Sequence, residues 1–267
     1  LGKWRVFSSC YVFFIWLAVF PVLQLNAQKM TTPAGAFCDP ETGLCTPAPL
    51  DEAPTAAELS ADREIIYVGD PMCSWCWGIS PALNRLERAA ATNGIDYRIV
   101  LGGLRPDDSQ EWTDEFRGFI KHHWEEVSKR SGQPFGTSLF DREEFNYNTE
   151  PSCRAVVTAR HLDPALESLF FEMTQHHFYV RNEDPNETSF YEPICRTLDL
   201  DFARFTALFN SPKIKAETLA DFQTNRQWGV TGYPTVIYRD GEKLYAIARG
   251  YAEFEQMWEA VQELSGQ

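Results

Sequence analysis

Strand and helix signals alternate at both ends of this chain and helical ones fill its middle, which predicts an α/β fold in the order βαβ, helices, ββα. Three observations carry that expectation. A short apolar run ending at Gly69 gives way at once to Cys73-Ser74-Trp75-Cys76 and a helical stripe. The apolar spacing over 105–227 is helical. A hairpin signal at Asp240-Gly241, followed by one amphipathic helix, closes the chain.

From Glu64 to Gly69 the nearly continuous apolar run reads as a buried strand. The helix opened by Cys73 carries Ile79, Leu83, Leu86 and Ala90 on one stripe and stops at Asn93-Gly94. Pro81 lies inside it, removes a backbone hydrogen bond and crowds the Trp77 carbonyl, so a kink is expected there. Ile95, Tyr97, Ile99 and Leu101 then alternate with Asp96, Arg98 and Val100 as a second strand. This unit leaves the cysteines at the carboxyl end of its first strand, the edge where open α/β sheets place their chemistry. In the middle block Trp112, Phe116, Phe119, Ile120, His123 and Trp124 follow helical spacing. Asp163 caps a helix with Pro164 at its first position, leading to Leu166, Leu169, Phe170 and Met173. Asp201 caps another with Phe202, Phe205 and Leu208. Thr235–Arg239 faces Glu242–Ala248 across Asp240-Gly241, both turn residues being ones that tolerate positive φ. The last helix sets Phe254, Met257, Trp258, Val261 and Leu264 on one face. The expected organisation is therefore a sheet domain from 63–104 and 228–267, with a helical insertion at 105–227.

With 267 residues, 44% of them apolar and 14% aromatic, the chain is long enough for a sizeable core. The net charge of −14 is spread along it, which speaks against nucleic acid or an anionic membrane as partner and reads as a solvated surface. Residues 1–29 differ in character. Lys3 and Arg5 precede an apolar run from Val6 to Leu23, and Leu25-Asn26-Ala27 ends in a small residue suited to cleavage. Residues 1–27 are expected to be a signal peptide, or a membrane tether through residues 6–23 because the apolar run is long. Either implies export, to a bacterial periplasm or cell envelope; a start at Met30 instead implies a cytoplasmic protein. Residues 28–62 read as an extended N-terminal arm in which Cys38 and Cys45 bracket a turn. Of the seven cysteines, cleavage after Ala27 removes Cys10 and leaves an even number, which suits an oxidising compartment.

Two thiols three residues apart at a helix start have Cα atoms roughly 5–6 Å apart, within the reach of a disulfide. The amides of that first turn and the helix dipole favour the thiolate at Cys73. Strand, C-x-x-C and helix together make a dithiol/disulfide switch. A structural zinc site needs two further ligands, and no second C-x-x-C or nearby His pair exists. The remaining alternative is a pair of inert core cysteines with Trp75 and Trp77 packed around them.

The element order, with C-x-x-C after the first strand and Gly232-Tyr233-Pro234-Thr235 before the hairpin, resembles the thioredoxin superfamily. The helical block narrows the resemblance to the DsbA family, and the wording to its FrnE-like branch of disulfide isomerases. The matching stretches are Asp70–Gly78, Leu101–Pro106, Glu150–Arg154 and Val230–Thr235, and the likeness spans roughly 63–264. It implies a thioredoxin fold with a DsbA-type helical insertion, and thiol–disulfide exchange on protein cysteines. It implies Cys73 as exposed nucleophile, Cys76 as buried resolving thiol, and a cis bond between Tyr233 and Pro234 beside them. Tyr233, Pro234 and Trp75 become the expected client-binding residues. The family places a buried acid six residues before the first cysteine, where Tyr67 stands here, so Asp70 is the substitute candidate for a proton relay. The Ser74-Trp75 pair lacks the thiolate-stabilising histidine of DsbA, which implies a potential between about −270 and −120 mV.

The partners implied are client proteins with cysteines and a redox protein that recharges the disulfide. No metal or organic cofactor is expected, the Cys73–Cys76 disulfide being the redox centre. Cys38 and Cys45 form an expected second disulfide, either a staple of the arm or an auxiliary pair that exchanges with Cys73. Cys153 and Cys195 read as separate buried thiols, with a bridge between them as the alternative. His122-His123 and His176-His177 diverge as helical neighbours and read as packing or surface residues. Two other functions remain open: a glutathione-dependent isomerase or transferase of the kappa or hydroxychromene type, and a redox-sensing holdase.

Overall fold

The computed structural model describes residues 63–107 and 111–266, preceded by the backbone of two short strands, β1 (Phe37–Cys38) and β2 (Cys45–Thr46). These pair antiparallel with Cys38 opposite Cys45. The expected signal peptide or tether at 1–27, and the rest of the arm at 28–62, lie outside the described residues. Among the described residues no helix is long and apolar enough to cross a membrane.

β3 (Arg63–Gly69) is central in a four-stranded sheet. It pairs parallel with β4 (Asp96–Leu101) and antiparallel with β5 (Thr235–Asp240), which pairs antiparallel with β6 (Lys243–Arg249). The order is β4-β3-β5-β6. The strand period of two divides β3 cleanly. Ile65 and Tyr67 enter the large core with the helices, while Ile66 and Val68 join Val100, Ile237, Trp228 and Val230 on the other face. The hairpin turn sits one residue later than expected. Asp240 pairs with Lys243, so the loop is Gly241-Glu242, and Gly241 alone takes a positive φ, of 59°. With Glu242 at negative φ the turn is not of type I′.

α1 (Ser74–Thr92) connects β3 to β4 and buries Ile79, Leu83, Leu86 and Ala90, the stripe read from sequence. Each large apolar side chain so buried contributes about 1.5–3 kcal/mol. The helix runs through Pro81 without a break. The Trp77 carbonyl that Pro81 leaves unpaired accepts instead from Ser80 Oγ and Gln133 Nε2, both at 3.0 Å. Six helices follow β4: α2 (Asp114–Ser131), α3 (Glu150–Leu162), α4 (Glu167–Tyr179), α5 (Glu192–Thr197), α6 (Phe202–Phe209) and α7 (Pro212–Gln227). Asp163 does cap, accepting from the Ala165 N–H at 3.0 Å, but Pro164–Leu166 forms a 3-10 turn and α4 starts one residue after it. Asp201 caps α6 as expected. α8 (Phe254–Ser265) returns to pack on α1 and β6, with Met257 and Val261 buried. One continuous core joins Ile65 and Tyr67 of the sheet to Trp124, Phe178 and Phe205 of the helices.

Candidate active site

β3 ends at Gly69 and the chain turns through Asp70-Pro71-Met72, which sets Cys73 at the N-cap of α1 with φ −89° and ψ 116°. The Cys73 carbonyl accepts from the N–H groups of Cys76 and Trp77 at 3.0 and 3.2 Å, closing the first turn beneath a sulfur at the helix's positive end. Both residues are thiols, and they lie within hydrogen-bond reach of each other. Their exposures differ: Cys73 keeps 6% of its surface accessible and Cys76 none. Cys73 is thus more enclosed than an exposed nucleophile was expected to be. Burial pushes the Cys76 thiol well up, and the Cys73 sulfur pushes it further. The Tyr67 hydroxyl and the Asp70 main-chain N–H act the other way without reversing it.

The loop before β5 forms the opposite wall. The Tyr233–Pro234 peptide is cis, as the resemblance implies, and the Cys73 thiol donates to the Tyr233 carbonyl at 3.4 Å. The Tyr233 side chain is turned away from the thiol. Its hydroxyl donates to the Gly102 carbonyl at 2.6 Å and lies 3.2 Å from Asn225 Oδ1. A Cβ on Gly102 would stand 2.5 Å from that ring, so glycine is what lets the two loops meet. Trp75 is partly exposed and lies edge-on to Tyr251, the ring centroids 6.1 Å apart. Trp77 points inward, donates to the Pro134 carbonyl at 3.0 Å and stacks on Tyr179.

Asp70 is fully buried. Its Oδ1 accepts from Met72 N–H at 2.8 Å; its Oδ2 accepts from Leu104 N–H and Thr149 Oγ1, both at 2.7 Å, and from the Cys153 thiol at 3.4 Å. Burial raises its pKa, and these four donors oppose the rise. The carboxylate therefore ties the cysteine loop to the Gly102–Leu104 loop and to the start of α3. Tyr147 adds a hydrogen bond from its hydroxyl to the Met72 carbonyl at 3.1 Å. Sequence reasoning had no part for Tyr147 or Thr149, and took Cys153 as a packed thiol. Their approach to Asp70 is tertiary and leaves no periodic signal.

Cys153 and Cys195 are both buried and both free, so no bridge joins them. Burial pushes both thiols up, that of Cys195 to about 12. His122 and His123 each lie 3.4 Å from Glu126, His177 Nδ1 lies 2.6 Å from Glu183, and His176 meets the edge of Trp77. Among the described residues no group of three or more His, Cys, Asp or Glu is arranged to hold a metal.

A paired thiol at a helix start beside a cis-proline loop, on this sheet order, defines a thioredoxin-fold dithiol site. The DSBA-like thioredoxin domain family model matches residues 64–262, and the chain belongs to that family. A crystal structure of a candidate protein disulfide isomerase from Nitrosomonas europaea is 32% identical, with TM-score 0.71, covering 78% of this chain and 99% of that one. The cytosolic disulfide reductase DsbM from Pseudomonas aeruginosa shares the fold at 23% identity and TM-score 0.64, over 76% of this chain and 100% of its own. The ClpXP adapter protein SpxH of Shouchella clausii is 22% identical over 218 residues, 80% of this chain and 68% of that protein.

Proposed function

We infer that this protein is a thiol–disulfide oxidoreductase of the DsbA type, acting on cysteine-bearing substrates and recharged by a redox partner. The observation that carries the assignment to a site is the pairing of an edge thiol and a sealed one: Cys73 at the N-cap of α1, and Cys76 buried within its reach. In the reducing direction the Cys73 thiolate attacks one sulfur of a client disulfide, a mixed disulfide forms, and the other client sulfur leaves as a thiol after taking a proton. Cys76 then attacks the Cys73 sulfur, releases the client as a dithiol, and leaves Cys73–Cys76 oxidised; oxidation of a client runs these steps backwards. The client segment lies beside Trp75 and the Tyr233-Pro234 loop, a placement supported by the 3.4 Å approach of the Cys73 thiol to the Tyr233 carbonyl. We assign Asp70 the role of fixing the loop, since its two oxygens are committed to four donors.

Insulin reduction and refolding of a scrambled disulfide protein test the reading. Cys73→Ala is expected to lose turnover, and Cys76→Ala to accumulate mixed disulfides with client; full activity in Cys73→Ala would end it. The holdase alternative predicts client binding without multiple turnovers in the same assays. For the N-terminal part we propose export through Lys3–Ala27, supported by its charge and apolar pattern. N-terminal sequencing of the mature chain decides: Gln28 supports cleavage, Met30 a cytoplasmic protein. A staple between Cys38 and Cys45 is supported by their opposition in the β1–β2 ladder. Differential alkylation that finds both thiols free removes it.

A further inference from the structure

A cavity of about 20 Å³ lies behind Cys76, among β3, β4, α1 and α4. Cys76, Tyr67 and Gln175 are among the residues that line it, and so are the partly exposed Glu87 and Glu172. Gln175 is fully buried, yet neither its Oε1 nor its Nε2 has a hydrogen-bond partner. The hydroxyl of Tyr67, a residue 2% exposed, faces the Cys76 sulfur and also lacks a formed hydrogen bond. Buried polar atoms are rarely left so, and space of this size with three polar neighbours is what one water molecule needs.

We propose that this cavity holds a water which, with Tyr67 and Gln175 as positioning residues, carries the Cys76 proton to Glu87 and Glu172 when Cys76 resolves a mixed disulfide. The proposal rests on Cys76 being the resolving thiol. In that step the proton leaves Cys76 for the water and then a carboxylate, and the thiolate bonds to the Cys73 sulfur. The Cys73–client bond breaks, and the client sulfur departs with the electron pair and takes a proton from solvent.

Tyr67 is a donor here and not the base, because burial pushes its phenol well up and keeps it protonated. Tyr97, which also lines the cavity, is pushed up by burial as well, as are Tyr179 and Tyr233 further off, and the Asp70 carboxylate is turned to its four donors. The nearby carboxylates are those of the cavity wall. Glu87 accepts from Ser168 Oγ at 2.8 Å and Glu172 from Asn84 Nδ2 at 3.0 Å. Gly69 makes room for the Tyr67 ring, which lies 2.3 Å from where a Cβ would stand.

The full-length dithiol protein, mixed with a symmetric nitroaromatic disulfide, releases one coloured thiol when Cys73 attacks and a second when Cys76 resolves. Stopped flow from about pH 6 to 9 separates the two phases. Tyr67→Phe and Gln175→Leu are each expected to leave the first phase unchanged and to slow the second about tenfold near pH 7. Their second phase should recover toward the wild-type rate as the pH rises, so its midpoint moves upward. A second phase at wild-type rate throughout, or slowed equally at every pH, overturns the relay. Gln175→Leu decides alone where Tyr67→Phe does not fold. Cys76→Ala in the same assay separates the two ideas: release of the second thiol from it defeats the assignment of Cys76, whereas a stable adduct with unaffected Tyr67→Phe and Gln175→Leu defeats the relay only.

Discussion

Replacing Asp70 with alanine takes the acceptor away from four donors at once. Met72 N–H, Leu104 N–H and Thr149 Oγ1 lose hydrogen bonds of 2.8, 2.7 and 2.7 Å, and the Cys153 thiol loses one of 3.4 Å. The site is sealed, so bulk water does not take over. Three orphaned donors at about 1–3 kcal/mol each suggest a loss of about 3–9 kcal/mol, the sulfur contact adding little. Burial of the carboxylate works the other way. It raises the pKa, so the charge is itself a cost, and its removal puts Asp70→Ala in the lower half of that range. Asp70→Asn keeps the shape and turns an N–H toward at least one donor, for about 1–2 kcal/mol. Urea unfolding with an unchanged m-value measures both. A loss below about 1 kcal/mol in Asp70→Ala would refute the claim that these loops hang on one carboxylate. The pH dependence tests the same argument independently. A folded pKa above the unfolded one gives stability that is complete in acid and lost as the pH rises through the folded value. The advantage of wild type over Asp70→Asn should therefore be widest in acid and narrow toward neutrality, and a widening gap refutes it.

Gly102→Ala places a methyl 2.5 Å from the Tyr233 ring, so stability should fall by about 1–3 kcal/mol. Insulin reduction should fall with it, because the carbonyl facing Cys73 belongs to the residue displaced; normal melting and normal turnover together would contradict the account. Burial pushes the Glu167 carboxyl up to about 7, against the opposing pull of Arg160 at 2.7 Å. Because that shift is upward, wild type should lose stability relative to Glu167→Gln as the pH rises from about 4.5 through 7, by up to about 3 kcal/mol. Urea midpoints at about pH 5 and 8 read this out, and a difference that stays constant or reverses sign removes Glu167 as the cause.

Strand alternation and helical stripes made the framework legible because each is a local pattern with a fixed period. Ile65 and Tyr67 separate from Ile66 and Val68 by pleat alone, and Ile79, Leu83, Leu86 and Ala90 share a helix face by spacing alone. Cys73 and Cys76 were legible for the same reason, since a helix start fixes both within four residues. The errors are local too: at Asp240 the turn chemistry identified a hairpin, but its register was set by the pairing of Asp240 with Lys243. What sequence did not yield is the shell that holds the dithiol. Thr149 reaches Asp70 from 79 residues away and Cys153 from 83, neither on a stripe whose period predicts the meeting. Tyr67 is the instructive case. Its position in the strand was readable, and its identity marked a missing acid, yet a phenol is not a base and cannot replace a carboxylate alone. Only when Gln175, far along the chain on α4, is seen to leave two polar atoms unpaired in the same space does the substitution make chemical sense. On the proposed relay Glu87 and Glu172 take the part of the missing acid, sharing with Cys76 the lining of one water-sized cavity.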